Sequence, residues 1–161
     1  DRSPSRGLGD VYKRQIGNSV QATFFDYDKD GDLDLYVANY PMTPFDAPSS
    51  YYSFKMQNPK DYETDNLYRN DGSLFTRVTE DAGLRTYGLT LSATVGDLNN
   101  DSFPDIYISN DFSSPDFMYM NNGDGTFTDV VKESTNQTSF YGMGVDIADF
   151  NNDQYLSLIH I

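Results

Sequence analysis

One acidic pattern recurs along this chain and restricts what it can fold into. It reads Asp26-Tyr27-Asp28-Lys29-Asp30-Gly31-Asp32-Leu33-Asp34, and returns as Asp97-Leu98-Asn99-Asn100-Asp101-Ser102-Phe103-Pro104-Asp105. A partial third copy runs Asp149-Phe150-Asn151-Asn152-Asp153-Gln154. The copies start 71 and then 52 residues apart, and other landmarks keep the shorter interval. Tyr68 returns as Tyr119, Phe75 as Phe127 and Val78 as Val130; Leu35-Tyr36-Val37-Ala38-Asn39 returns as Ile106-Tyr107-Ile108-Ser109-Asn110. A period of about 50 residues is the signature of a repeat architecture, in which each unit buries its faces against its neighbours.

Within a unit the apolar segments are short, alternating and rich in Val, Ile, Tyr, Phe and Thr. They are separated by turns such as Asn122-Gly123-Asp124-Gly125, which is strand and hairpin chemistry. The second unit predicts strands near 92–96, 105–109, 117–121 and 126–131. Four strands at this period make one blade of a β-propeller. The expected fold is therefore all-β: about two four-stranded blades plus the start of a third, from a propeller with further blades. No ten-residue window carries a helical period, so little helix is expected.

The expected organisation is a first blade over 16–90, a second over 91–140 and the beginning of a third over 141–153. Residues 1–15 hold four of the 11 basic residues and share no pattern with the rest, resembling translated adapter sequence. In the third loop the pattern gives way to Gln154-Tyr155-Leu156-Ser157-Leu158-Ile159-His160-Ile161. Residues 1–15 and 154–161 are both expected to be non-native tails. Residues 41–65 carry an insertion relative to the second repeat, with four prolines and the aromatics Tyr51, Tyr52, Phe54 and Tyr62. Insertions on a rigid scaffold are where specificity often sits, although these rings could equally cover a blade edge.

The chemistry of the repeated loop is that of a hard-cation cage. Oxygen side chains at positions 1, 3, 5 and 9 suit Ca2+, which accepts six to eight oxygens in flexible geometry. In the first loop Asp26, Asp28, Asp30 and Asp34 supply side chains and Asp32 a backbone carbonyl. In the second, Asp97, Asn99, Asp101 and Asp105 supply side chains and Phe103 its carbonyl. The third offers Asp149, Asn151 and Asp153, but Ser157 stands where the last acid belongs. An EF-hand starts similarly but requires a carboxylate at position 12, where this chain has Val37 and Ile108. Without a cation, neighbouring carboxylates raise one another's pKa; an Asp-rich turn satisfied by its own backbone explains the bends but not the fixed spacing. Gly31 suits the sharp turn at position 6, where Ser102 and Gln154 depart from glycine.

Composition narrows the partners. The net charge is −14, which argues against nucleic acid and against an anionic membrane surface. Only Glu63, Glu80 and Glu133 are Glu, so the acid is nearly all Asp, the short turn-forming carboxylate. There is no Cys, hence no disulfide or zinc–thiolate site, and no apolar run long enough to insert into a membrane. Asn136-Gln137-Thr138 fits an N-glycosylation sequon. The acidity also fits a saline habitat.

These loops, with Asn66-Leu67-Tyr68-Arg69-Asn70-Asp71-Gly72 and Met118-Tyr119-Met120-Asn121-Asn122-Gly123-Asp124-Gly125-Thr126-Phe127, resemble the FG-GAP, or VCBS-type, repeat of integrin α-subunit propellers and many bacterial surface proteins. With Gly142-Met143-Gly144-Val145-Asp146-Ile147-Ala148-Asp149-Phe150 included, the chain looks most like bacterial relatives of cartilage acidic protein. The resemblance covers roughly residues 20–153. It implies a seven-bladed propeller, secreted or surface-exposed, with structural calcium. Three function classes follow as expectations. The first is a non-catalytic extracellular module whose loops engage a protein or glycan. The second is a propeller-borne lyase or hydrolase whose catalytic residues lie elsewhere, since clustered carboxylates can act as acid and base but here are explained by cation binding. The third is calcium storage or sensing, which rigid β-flanked loops disfavour because they offer no bistable element.

Overall fold

The computed structural model describes residues 18–160 apart from 45, 86 and 113. The segment 1–15 expected to be a non-native tail lies outside the described residues.

Strand chemistry produces the expected blades. The first holds β1 (Ser19–Phe25), β2 (Asp34–Asn39), β3 (Asn66–Asn70) and β4 (Phe75–Arg77), antiparallel and in sequence order. The second repeats it with β5 (Thr90–Gly96), β6 (Asp105–Asn110), β7 (Phe117–Asn121) and β8 (Phe127–Asp129). Even the irregularities match, for the register slips between Ser19 and Gln21 and again between Thr90 and Ser92. The third unit supplies β9 (Val145–Ala148) paired with β10 (Ser157–His160). Part of 154–161, expected to be a foreign tail, thus takes the place of a second strand, helped by the apolar Leu158 and Ile159 at its centre.

The insertion contains more helix than its sequence announces. Helix α1 (Ser49–Gln57) starts after Pro48 and buries none of its residues, so nothing in it demanded an apolar stripe. A 3-10 turn, Asp61–Glu63, follows, and Lys55 of the helix pairs with the largely buried Glu63. A short helix, α2 (Val131–Ser134), follows β8.

Blade-to-blade packing forms the core. One face of the first blade (Phe25, Tyr36, Ala38, Leu67) joins Ala93, Ile106, Ile108, Phe117 and Tyr119 of the second in a single buried cluster. Polar straps cross the same interface. The Gln21 amide donates to Ala93 O at 2.7 Å and accepts from Ala93 N at 2.9 Å, mimicking an extra rung between the first strands of adjacent blades. Phe127 N donates to Ala82 O at 2.9 Å. The second and third units approach as closely: a Cβ on Gly142 would stand 2.1 Å from Ser109 Oγ, so any side chain there would have to displace that hydroxyl.

Each complete blade also carries a buried polar clamp. Tyr36 Oη donates to Asp65 Oδ2 at 2.8 Å and Asn39 N to Asp65 Oδ1 at 2.7 Å, while Asn39 Nδ2 reaches Thr64 O at 2.6 Å. The second blade repeats it with Tyr107 and Asn110 N on Asp116, at 3.0 and 2.8 Å, and Asn110 Nδ2 on Pro115 O at 2.6 Å. In the first clamp Thr90 of the next blade adds a third donor to Asp65 at 2.9 Å.

Burial pushes Asp65 up to about 6, against the lowering effect of its three donors. Because the folded value exceeds the ordinary 3.8, the folded chain binds more protons between those values. Its contribution to stability is fully present below about pH 4, is lost as the pH rises through about 6, and is constant above. In urea melts across that window, the stability of the parent relative to Asp65→Asn should fall by up to about 3 kcal/mol as the pH rises.

Candidate metal centre

The three acidic loops lie at equivalent turns, between β1 and β2, β5 and β6, and β9 and β10. Their backbones are superimposable in kind. Position 4 is left-handed in each (Lys29 φ 61°, Asn100 φ 61°, Asn152 φ 57°), and so is position 6 (Gly31 φ 95°, Ser102 φ 75°, Gln154 φ 72°). Side-chain oxygens impose this shape. The position-1 acid reaches across the loop to the position-6 amide: Gly31 N donates to Asp26 at 3.1 Å, Ser102 N to Asp97 at 2.8 Å and Gln154 N to Asp149 at 2.9 Å. Positions 3 and 5 each accept from the amide two residues on, as in Asx-turns.

Position 9 does a different job. Asp34 is wholly buried, and its two oxygens take Tyr27 N at 3.1 Å and Asn70 N at 2.8 Å. Asp105, equally buried, takes Leu98 N and Asn121 N, both at 2.8 Å. Each of these carboxylates ties the loop to the end of its blade's third strand. The third loop has Ser157 at this position, one hydroxyl in place of two carboxylate oxygens.

The sequence pattern places thirteen candidate positions, and the structure distinguishes among them. Carboxylate oxygens of Asp26, Asp28 and Asp34 all lie within 4.8 Å of one another, the one such group of acids among the described residues. Asp26 Oδ1 is buried there with no hydrogen-bond partner, and so is Asp32 Oδ1. Asp30 stands outside the trio, exposed, with Oδ1 receiving Asp32 N at 3.0 Å. In the second loop both Asp97 oxygens are occupied by amides, Asp101 N and Ser102 N, and Asn99 donates to Asp101 at 2.8 Å. Phe103 contributes its amide to Asp101 at 2.7 Å and its ring to Lys29 Nζ, 4.8 Å from the centroid. Asp149, Asn151 and Asp153 copy the second loop's bonds.

The electrostatics agree with a cation seat in the first loop. Burial pushes Asp34 up to about 6, with Asp28 and Asp30 adding repulsion and the Asn70 and Tyr27 amides opposing it. Asp28 and Asp32 are raised by burial and then by neighbouring acids. Burial likewise raises Asp105, against the amides of Asn121 and Leu98. A divalent ion would remove these penalties, and the unpartnered Asp26 oxygen beside two further carboxylates is a donor set that fits one.

Sequence reasoning passed over the clamp acids Asp65 and Asp116. The signal was available: they stand 51 residues apart, three residues before Tyr68 and Tyr119, themselves 51 apart. It also missed Asn121, whose Nδ2 donates to Tyr27 O at 2.8 Å and so links the first loop to the second blade.

Residues 97–159 match the model of the FG-GAP-like repeat. The chain is 28% identical over 162 residues to mouse cartilage acidic protein 1, covering 99% of this chain and 23% of that protein. Human cartilage acidic protein 1 is 29% identical over 158 residues, 97% of this chain and 22% of that protein. The Xenopus tropicalis protein of the same name is 34% identical over 89 residues, 54% of this chain and 13% of its own length. The chain therefore spans less than a quarter of these relatives.

Two outcomes follow from the loop geometry. Asp34→Ala strips acceptors from two amides and should cost about 2–4 kcal/mol in urea melts even in excess chelator. Ser102→Gly relieves a left-handed serine and should stabilise by about 0.5–1 kcal/mol, net of the entropy glycine gains on unfolding.

Proposed function

We propose, from the premise that this chain belongs to the FG-GAP-type repeat proteins, that it is a non-catalytic extracellular module in which calcium stiffens propeller blades for contact with a protein or glycan. The observation carrying this reading is the first loop, where Asp26, Asp28 and Asp34 converge and one Asp26 oxygen is left without a partner. Side chains of Asp26, Asp28 and Asp34 would hold the ion, and its charge would offset their repulsion. Asp26 directly follows β1, Asp34 opens β2 and Asp28 lies in the turn between them, so the ion would fix where β1 leaves and β2 begins.

The setting supports an interaction role. Loops at the strand ends opposite the acidic turns carry exposed aromatics, among them Phe112, Phe140 and Tyr141. Phe112 and Tyr141 pack edge-to-face at 5.6 Å, as do Phe140 and Tyr141 at 4.9 Å. Exposed rings held rigid by one another suit recognition, because little conformational entropy is lost on contact. Among the described residues no helix is long and apolar enough to cross a membrane. The cartilage acidic protein relatives add weight to an extracellular setting.

Calcium titration followed by thermal melting is the test. Saturating calcium should raise the melting temperature by several degrees and chelator should return it, as expected for a ligand bound at about 100 times its Kd. Asp28→Ala should abolish the calcium increment while leaving the chelated protein nearly unchanged, in contrast to Asp34→Ala. A melting temperature indifferent to calcium would refute the structural-calcium reading.

A further inference from the structure

The first blade bears a groove that the calcium loops do not explain. It lies against β3, β4 and the Asp61–Glu63 turn, with a volume of about 510 Å³, and its walls include Lys60, Tyr62, Asn66, Tyr68, Arg77 and Arg85. Three of the 11 basic residues of a chain with net charge −14 meet there. Their acidic partners do not use them up. Arg77 donates to Asn66 Oδ1 at 2.5 Å and pairs with Glu80, yet its Nη2 is buried with no hydrogen-bond partner. Arg85 donates to Pro59 O and Asp61 Oδ1, both at 2.9 Å, and lies 3.4 Å from Glu80. Lys60 Nζ stands 5.6 Å over the Tyr62 ring. Three cations face two acids, so the groove keeps a positive excess.

The second blade provides an internal comparison. Arg77 pairs with Tyr68 across the β3–β4 ladder as Asp129 pairs with Tyr119 across β7–β8. Asn66 faces Val37 as Phe117 faces Ile108. The equivalent groove, about 420 Å³, is lined by Phe117, Asp129 and Lys132 together with Met56 from α1. The scaffold thus accepts an acid where the first blade has Arg77, and the groove persists with a neighbouring blade in place. The blade architecture therefore does not itself demand Arg77 at this place.

We infer that this groove binds a carboxylate-bearing saccharide, a uronic acid residue of a glycan. Arg77 and Arg85 keep part of their side chains open to the groove, 26% and 40% exposed, and a guanidinium edge is suited to a carboxylate, which it holds by charge-assisted N–H bonds. Tyr62, 42% exposed, supplies the flat apolar surface against which a pyranose C–H face packs. The volume lies in the range of small-ligand sites, where apolar walls and a few placed polar groups fix orientation. This assignment deepens the glycan branch of the proposed function by naming the ligand chemistry. Its failure would leave the calcium reading untouched, because that is decided by melting alone.

The test is calorimetric or NMR titration of the full chain, in calcium, with galacturonic acid and a short oligogalacturonate. Galactose, acetate and a short oligoaspartate peptide serve as comparators. The uronates should bind at least about tenfold tighter than galactose or acetate. Arg77→Asp, which copies the second blade, and Arg77→Gln should each lose at least about tenfold, and Tyr62→Ala several-fold. Lys132→Gln, in the other groove, should change nothing, and melting curves should confirm that every variant is folded. Unchanged uronate affinity in both Arg77 variants would overturn the assignment. So would galactose or acetate binding as tightly as the uronates, or the acidic peptide binding more tightly than they do.

Discussion

A carboxylate with no exposure to water, placed at the first residue of the second strand, organises each complete blade. Asp34 and Asp105 accept amides from the loop that precedes them and from the end of the third strand. One short side chain therefore sets three strands in register. Glu would overreach and Asn would present a second donor to the amides it must accept, so only Asp satisfies the site. Burial raises both carboxylates above their ordinary range, which makes the arrangement costly in isolation, a cost that a positive ion beside Asp34 would offset.

Much of this was legible because repetition is a spatial statement. A pattern recurring at one interval forces equivalent residues into equivalent environments, and the β5–β8 strands fall within two residues of their expected ends. The loop acids were legible for the same reason. Helix α1 was not, since a surface helix that buries nothing leaves no periodic trace. Nor were the roles within the loops, because alternation reports which face a side chain takes and not which amide it meets. Asp26 and Asp97 read alike in sequence. Only coordinates separate the acid with a spare oxygen from the one whose oxygens are both taken by backbone. The clamp acids Asp65 and Asp116 were recoverable in principle from their 51-residue spacing, but buried acids outside a recognised pattern attract no notice.

Departures from symmetry carry as much meaning as its observance. The blades share strand order, slip position and clamp, yet differ where no structural demand holds them alike. Thr90 joins the first clamp from the next blade, while the corresponding approach in the third unit is made by Gly142, packed against the Ser109 hydroxyl. Asn66 and Arg77 replace Phe117 and Asp129 at matched positions of the ladders. A scaffold built by repetition is free to specialise at such places, because the bonds that hold it run through other residues.

Asn121 gives the fold one more property. Its backbone amide serves Asp105, and its side chain reaches the carbonyl of Tyr27, whose own amide serves Asp34. Four residues thus form a continuous tether from one acidic bend to the next. Fraying at either bend would remove an anchor from the other, so these bonds couple the opening of one blade to that of its neighbour.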